Sequence, residues 1–112
     1  MLRPLQQQIE AFWPYYVTQH LNPTNRRLHF IGNTYLLAGL ALAVIRRSPR
    51  LAAWVVVSAY GVAWIGHFGF ERNIPATFRY PVLAGLCDLR MYVKMWRGAM
   101  DAEIARYGPP AP

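Results

Sequence analysis

Two long apolar runs dominate the chain. Leu28 to Ile45 holds only His29, Asn33 and Thr34 as clearly polar side chains, and Leu51 to Phe70 holds only Ser58 and His67. At about 1.5 Å per helical residue, each run is long enough, or nearly so, to cross roughly 30 Å of hydrocarbon. Asn22-Pro23 and Ser48-Pro49 precede the runs and repeat one start signal. Asn or Ser caps the free amides of a first helical turn, and proline suits the first position, where no donor is needed. Helices are therefore expected from Pro23 to Arg46 and from Ser48 to Glu71 or Asn73, with the turn Arg46-Arg47-Ser48-Pro49-Arg50 too short for anything but an antiparallel return.

The flanks read differently. In Met1 to Gln19, Ile9, Phe12, Trp13, Tyr16 and Val17 recur at helical spacing opposite Gln6, Gln7, Gln8 and Glu10. That pattern predicts an amphipathic helix at the membrane interface, with Trp13, Tyr15 and Tyr16 at headgroup depth and a kink at Pro14. Ile74-Pro75-Ala76 stops the second long helix, since residues before proline avoid the helical region. From Tyr80 to Tyr107 a third helix is expected, with Leu86, Leu89, Val93, Trp96 and Met100 as its apolar seam and Arg90, Lys94 and Arg97 as its basic face. Its start, Pro81 to Cys87, is apolar enough to dip inward, and its second half reads as interfacial. The expected fold is all-α: an integral membrane hairpin of two transmembrane helices, an amphipathic N-terminal helix and a partly embedded, interfacial C-terminal helix. Residues 1–107 form one domain, and Gly108 to Pro112 a disordered tail.

Composition sharpens this picture. Of 112 residues, 54% are hydrophobic and only 15% charged, against about a quarter charged in ordinary soluble domains. A soluble bundle with two very apolar helices is the bland alternative. The first apolar run begins too late for a cleavable signal peptide, with no small-residue cleavage site after it. A single cysteine, Cys87, excludes an internal disulfide. The net charge of +7 is dispersed as Arg26 and Arg27, Arg46, Arg47 and Arg50, Arg72 and Arg79, then Arg90, Lys94 and Arg97. Basic residues flanking apolar runs suit anionic lipid headgroups, and no nucleic-acid partner is expected.

The candidate chemistry lies in three histidines. His20 and His29 flank the first cap, while His67 stands four residues before Glu71. His29 and His67 each lie nineteen residues from Ser48, and Asn25 and Glu71 each twenty-three. Folding back at Ser48 therefore puts the two histidines at one depth, and the Asn25–Glu71 pair about 6 Å beyond them. Asn25, His29 and Asn33 form a polar stripe on an otherwise apolar rod. Imidazoles with one carboxylate and open positions suit non-haem iron(II), so His20, His29, His67 and Glu71 are candidate catalytic and metal-binding residues, with Glu71 either a ligand or the acceptor that orients an imidazole. Spacing leaves open whether Glu71 or Asp88 is the direct acidic ligand. The Met91, Met95 and Met100 set reads as packing rather than a copper site.

The residues then carry a resemblance. His20-x-Asn22-Pro23-x-Asn25-x3-His29-x2-Gly32 followed by Gly66-His67-x3-Glu71-x3-Pro75-Ala76 resembles the signature of the 2-hydroxy fatty acid dioxygenase family, small membrane proteins of fatty-acid α-oxidation. The likeness spans roughly residues 12–98, and the stretch from Tyr80-Pro81 through Asp88-x2-Met91-Tyr92 to Gly98 is similar to the shorter bacterial members. The resemblance implies Fe2+, O2 and a long-chain 2-hydroxy fatty acid that is shortened by one carbon. It matches His20, His29 and His67 to the family's histidines and Glu71 to its acidic position. Asn25, Asn33, Arg26, Arg72 and Arg79 are the candidate substrate-binding residues; Arg27 shares the arginines' candidacy for the carboxylate. A bacterial inner membrane, or the endoplasmic reticulum of a eukaryote, is the expected location. Two crossing helices make a thin wall, which favours a homo-oligomer.

Two other classes compete. A haem-binding electron carrier would ligate one haem through His29 and His67, leaving His20 and Glu71 without a task. A non-catalytic lipid-binding protein would use the polar stripe only for helix packing.

Overall fold

A computed structural model describes residues 3–109, and among them every regular element is helical. They are α1 (Leu5–Thr18), α2 (Pro23–Ile45), α3 (Pro49–Ile65), a π-helical segment (Gly66–Glu71), a 3₁₀ turn (Ala76–Phe78), α4 (Pro81–Trp96) and α5 (Met100–Tyr107).

Both capping signals operate as their chemistry dictates. The Asn22 side chain accepts from the Thr24 and Asn25 amides at 2.8 and 3.2 Å, and Ser48 Oγ accepts from Leu51 at 3.1 Å. Between them, Arg47 takes a left-handed conformation (φ 52°) and reverses the chain. α2 and α3 then pack side by side: Gly39 lies against Val55, Gly32 against Ala59 and Val62, and Asn25 against Gly66, a strictly antiparallel register. α2, and α3 with its π extension, are each 23 residues and apolar enough to cross a membrane. Their outer faces carry exposed Ile31, Leu37, Val44, Trp54, Val57 and Ile65, side chains that hydrocarbon would cover at no cost.

The remaining helices depart from expectation. α1 does not present Trp13 and Tyr16 outward; they are only 1% and 2% exposed, in a core with Val17 of α1, Cys87 and Met91 of α4 and Met100 of α5. Of the three aromatic residues expected at headgroup depth, only Tyr15 is exposed. Pro14 lies inside α1. The expected third helix is two, parted at Gly98, whose φ of 66° ends α4. On α4 the buried stripe is Ala84, Cys87 and Met91, one turn apart, while Leu89, Val93 and Trp96 of the expected seam point outward. Arg90 and Lys94 are held at 2.8 and 2.7 Å by Glu10 of α1 and Glu103 of α5. Glu10, distant in sequence, and Glu103, nine residues after Lys94, turn the basic face of α4 toward α1 and α5. Of the expected tail, Gly108 donates its amide to Ile104 at 2.8 Å and caps α5, whereas residues 110–112, like residues 1–2, lie outside the described chain.

Gly98 offers a clean test of the break. A Cβ there would meet nothing within 4 Å, so Gly98→Ala isolates the backbone penalty of a positive φ. A loss of about 1 kcal/mol is expected, read from thermal unfolding in detergent. An unchanged midpoint would show that the turn relaxes freely.

Candidate metal centre

The three histidines come from three elements. His20 follows α1, its amide bonded to Val17 O at 3.0 Å; His29 lies nearly two turns into α2; His67 lies in the π segment. All are nearly fully buried. Their rings meet pairwise with centroids 4.7 to 4.9 Å apart and planes 80 to 89° apart, and their ligand atoms all lie within 4.8 Å of one another. His29 and His67, equally far from Ser48 along the chain, meet in that contact.

Each ring is anchored through Nδ1. His20 Nδ1 bonds Tyr16 O at 2.8 Å, His29 Nδ1 bonds Asn25 O at 2.9 Å, and His67 Nδ1 bonds Asn73 Oδ1 at 2.7 Å. Asn73 donates Nδ2 to Gln19 O at 3.0 Å and Gln19 Oε1 at 3.2 Å, which leaves Oδ1 as the acceptor facing His67. All three partners are oxygen acceptors, so each Nδ1 carries the proton and each Nε2 keeps its lone pair. This orientation by carbonyl and amide oxygens is the usual outer support of metal-binding histidines. The residues present fit one transition-metal ion with nitrogen ligands and open positions.

Burial pushes the His20 pKa well down, and the neighbouring His29 and His67 push it further. The neutral ring is the ligating form. With an unfolded value near 6.5, the depressed group contributes stability above that pH and loses it as pH falls toward the folded value. The metal-free protein is therefore expected to lose thermal stability steadily below about pH 6.5, and His20→Gln to flatten that slope. A slope unchanged in the variant would place the titration elsewhere.

Glu71 takes a different position from the ring trio. Its oxygens accept from the Asn22 amide at 2.9 and 3.2 Å and from Asn25 Nδ2 at 3.0 Å. The carboxylate thereby sits at the N-terminus of α2, where the helix dipole favours an anion, and ties the π segment to α2. Asn25 pairs with it at the same depth, as counting from Ser48 implies. Arg26 Nη1 donates to the carbonyls of His20 and Leu21 at 2.8 and 2.7 Å, fixing the loop that carries His20. Arg72, left-handed at φ 60°, and Arg79 are exposed and do not line the cavity. Of the five candidate substrate-binding residues, Asn33 alone lines it.

That cavity, about 420 Å³, starts at the histidines and continues between α2, α3 and α4 past Gly32, Leu36 and Leu40 on one side and Ala63, Tyr60 and Val56 on the other. From His29 to Leu40 it follows α2 for about 16 Å at about 1.5 Å per residue. Its walls are mostly apolar, and Tyr16 and Asp88 join Asn33 as polar lining. Asn73 and Tyr16 are parts of the centre that sequence spacing does not single out: Asn73 lies past the π segment that carries His67, and Tyr16 meets Asp88 from another helix. Asp88, the other acid weighed as a ligand, stands outside the histidine trio. Comparison with curated proteins and with solved structures found no match. The family model described as 2-hydroxy-palmitic acid dioxygenase Mpo1-like matches residues 6–100, and the chain belongs to that family.

Proposed function

We propose that the chain is an iron(II)-dependent dioxygenase that shortens long-chain 2-hydroxy fatty acids by one carbon from within a membrane, with His20, His29 and His67 as the protein's iron ligands. The observation that carries this reading is the continuity of three imidazoles, their ligand atoms within 4.8 Å of one another, with an apolar groove long enough for an acyl tail. Bound iron(II) supplies the redox and Lewis-acid chemistry that lets O2 react with the 2-hydroxy acid. The chain's own residues bind and orient. Leu36, Leu40 and Val56 take the tail, reaching about half of a roughly 30 Å hydrocarbon layer. Tyr16, stacked on His20 with centroids 3.9 Å apart, closes one side of the centre against water. Glu71 and Asn25 hold the π segment that carries His67, so they act as positioning groups. Arg72 and Arg79, exposed in the segment that follows His67, remain available to the substrate carboxylate or to lipid phosphates.

A haem between His29 and His67 fits poorly. Axial imidazoles on opposite faces of a macrocycle hold their centres about 6 Å apart, given metal–nitrogen bonds of about 2 Å, whereas these stand at 4.8 Å. Gly66 against Asn25 and Gly32 against Ala59 also close the helices on either side of the pair, leaving no slot.

The test is anaerobic loading of the purified protein with Fe(II), metal analysis, then oxygen uptake with 2-hydroxyhexadecanoic acid. One iron per chain and uptake matched by the fifteen-carbon acid are expected. Stoichiometric iron without uptake would end the dioxygenase reading, and a Soret band after aerobic purification would restore the haem.

A further inference from the structure

The cavity is lined by one carboxylate, Asp88 on α4. Two helices converge on it. The Tyr16 hydroxyl of α1 donates to Oδ1 and Asn33 Nδ2 of α2 to Oδ2, each at 2.9 Å. Neither donor is charged, and the ion pairs among the described residues, Arg90–Glu10 and Lys94–Glu103, leave Asp88 without a cation. A carboxylate offers about four lone-pair sites, so roughly two remain after Tyr16 and Asn33. An anion on an apolar wall is costly unless further hydrogen-bonded. Asp88 stands outside the histidine trio, yet Tyr16 links the two by stacking on His20 and bonding Asp88.

We infer that Asp88 is the acceptor for the substrate's 2-hydroxyl and the residue that selects 2-hydroxy acids over unsubstituted ones, with Tyr16 and Asn33 as its positioning residues; this rests on the dioxygenase reading above. A tail lying against Leu40 brings C1 and C2 to the histidine end, beside Asp88. The neutral hydroxyl can donate to Asp88, whereas the substrate carboxylate is repelled by it. The interaction therefore fixes which substituent of C2 faces α4. Glu71 cannot take this part, since it does not line the cavity and its carboxylate is held by the Asn22 amide and Asn25. A site that hydrogen-bonds a substrate hydroxyl rejects the analogue lacking it, because its own buried polar group is then left unpaired.

The test measures binding to the iron-loaded protein under strict exclusion of oxygen, by calorimetric titration with 2-hydroxyhexadecanoic, 2-fluorohexadecanoic and hexadecanoic acids. Fluorine resembles the hydroxyl in size but donates no hydrogen bond. The parent protein is expected to prefer the hydroxy acid over both others by about tenfold or more, as suits a hydrogen bond to a charged acceptor. Asp88→Asn should keep its iron and narrow that preference to a few-fold. Equal binding of hydroxy and fluoro acids by the parent overturns the proposal without any variant, so a misfolded Asp88→Asn cannot shelter it. A full preference retained in Asp88→Asn overturns it too, and loss of iron from that variant would make Asp88 a metal ligand instead. Oxygen uptake with the hydroxy acid separates the two failures: uptake that persists leaves the dioxygenase reading standing while Asp88 falls.

Discussion

His67→Ala is expected to leave the protein with well under half an iron per chain and to cut oxygen uptake by more than a hundredfold, while Asn73→Ala does less. The ranking follows from distance to the ion. His67 offers a lone pair directly, and its loss leaves two imidazoles where three converged. Asn73 only holds Nδ1 of that ring, at 2.7 Å, and removing such an outer partner costs roughly 10- to 100-fold in metal affinity or activity. High free iron should therefore restore Asn73→Ala toward parent rates and should not restore His67→Ala. Metal analysis beside rate measurement distinguishes the cases. Equal damage from both substitutions, with no rescue of either, would mean that Asn73 holds the fold rather than the ring.

That centre was partly legible in the chain because its two main strands of information are local. The paired caps at Asn22-Pro23 and Ser48-Pro49 fix where two helices begin, and counting outward from Ser48 fixes which residues share a depth. His29 meets His67 and Asn25 meets Glu71 for that reason. Depth does not fix what a polar group bonds to. Glu71 shares a depth with Asn25, but the amides at the start of α2 and the Asn25 side chain claim its carboxylate. The flanking helices show the same gap. Trp13 and Tyr16 look like headgroup residues on an isolated amphipathic helix, and only the folding of α4 and α5 over α1 buries them. Asp88 carries no local signal either: its role comes from Tyr16, 72 residues away, and Asn33, 55 residues away.

Gly66→Ala is expected to be the most damaging single-methyl change in the protein. A Cβ at Gly66 would overlap Asn25 Oδ1 and fall 3.1 Å from its Cγ. Asn25 has nowhere to go: it is fully buried, and Nδ2 donates to Glu71 at 3.0 Å. Its Oδ1 has no hydrogen-bond partner among the described residues, so it rests against the Gly66 Cα, a weak C–H···O contact at best. Adding the methyl either parts α2 from the π segment, costing about 1–3 kcal/mol as overpacking, or turns Asn25 away from Glu71 and forfeits a charged hydrogen bond of about 1.5–3 kcal/mol. Either route moves His67, so bound iron should fall along with the thermal midpoint. Gly69→Ala is the matched control, because it adds the same methyl to the same π segment and meets nothing within 4 Å. It should be neutral or mildly stabilising. Asn25→Ala should be costly alone, yet combined with Gly66→Ala it removes the obstructing oxygen, so the pair should cost less than the sum of its parts. Additive losses, or equal losses at Gly66 and Gly69, would show that the π segment tolerates the methyl and that close approach to Asn25 is not what sets the position of His67.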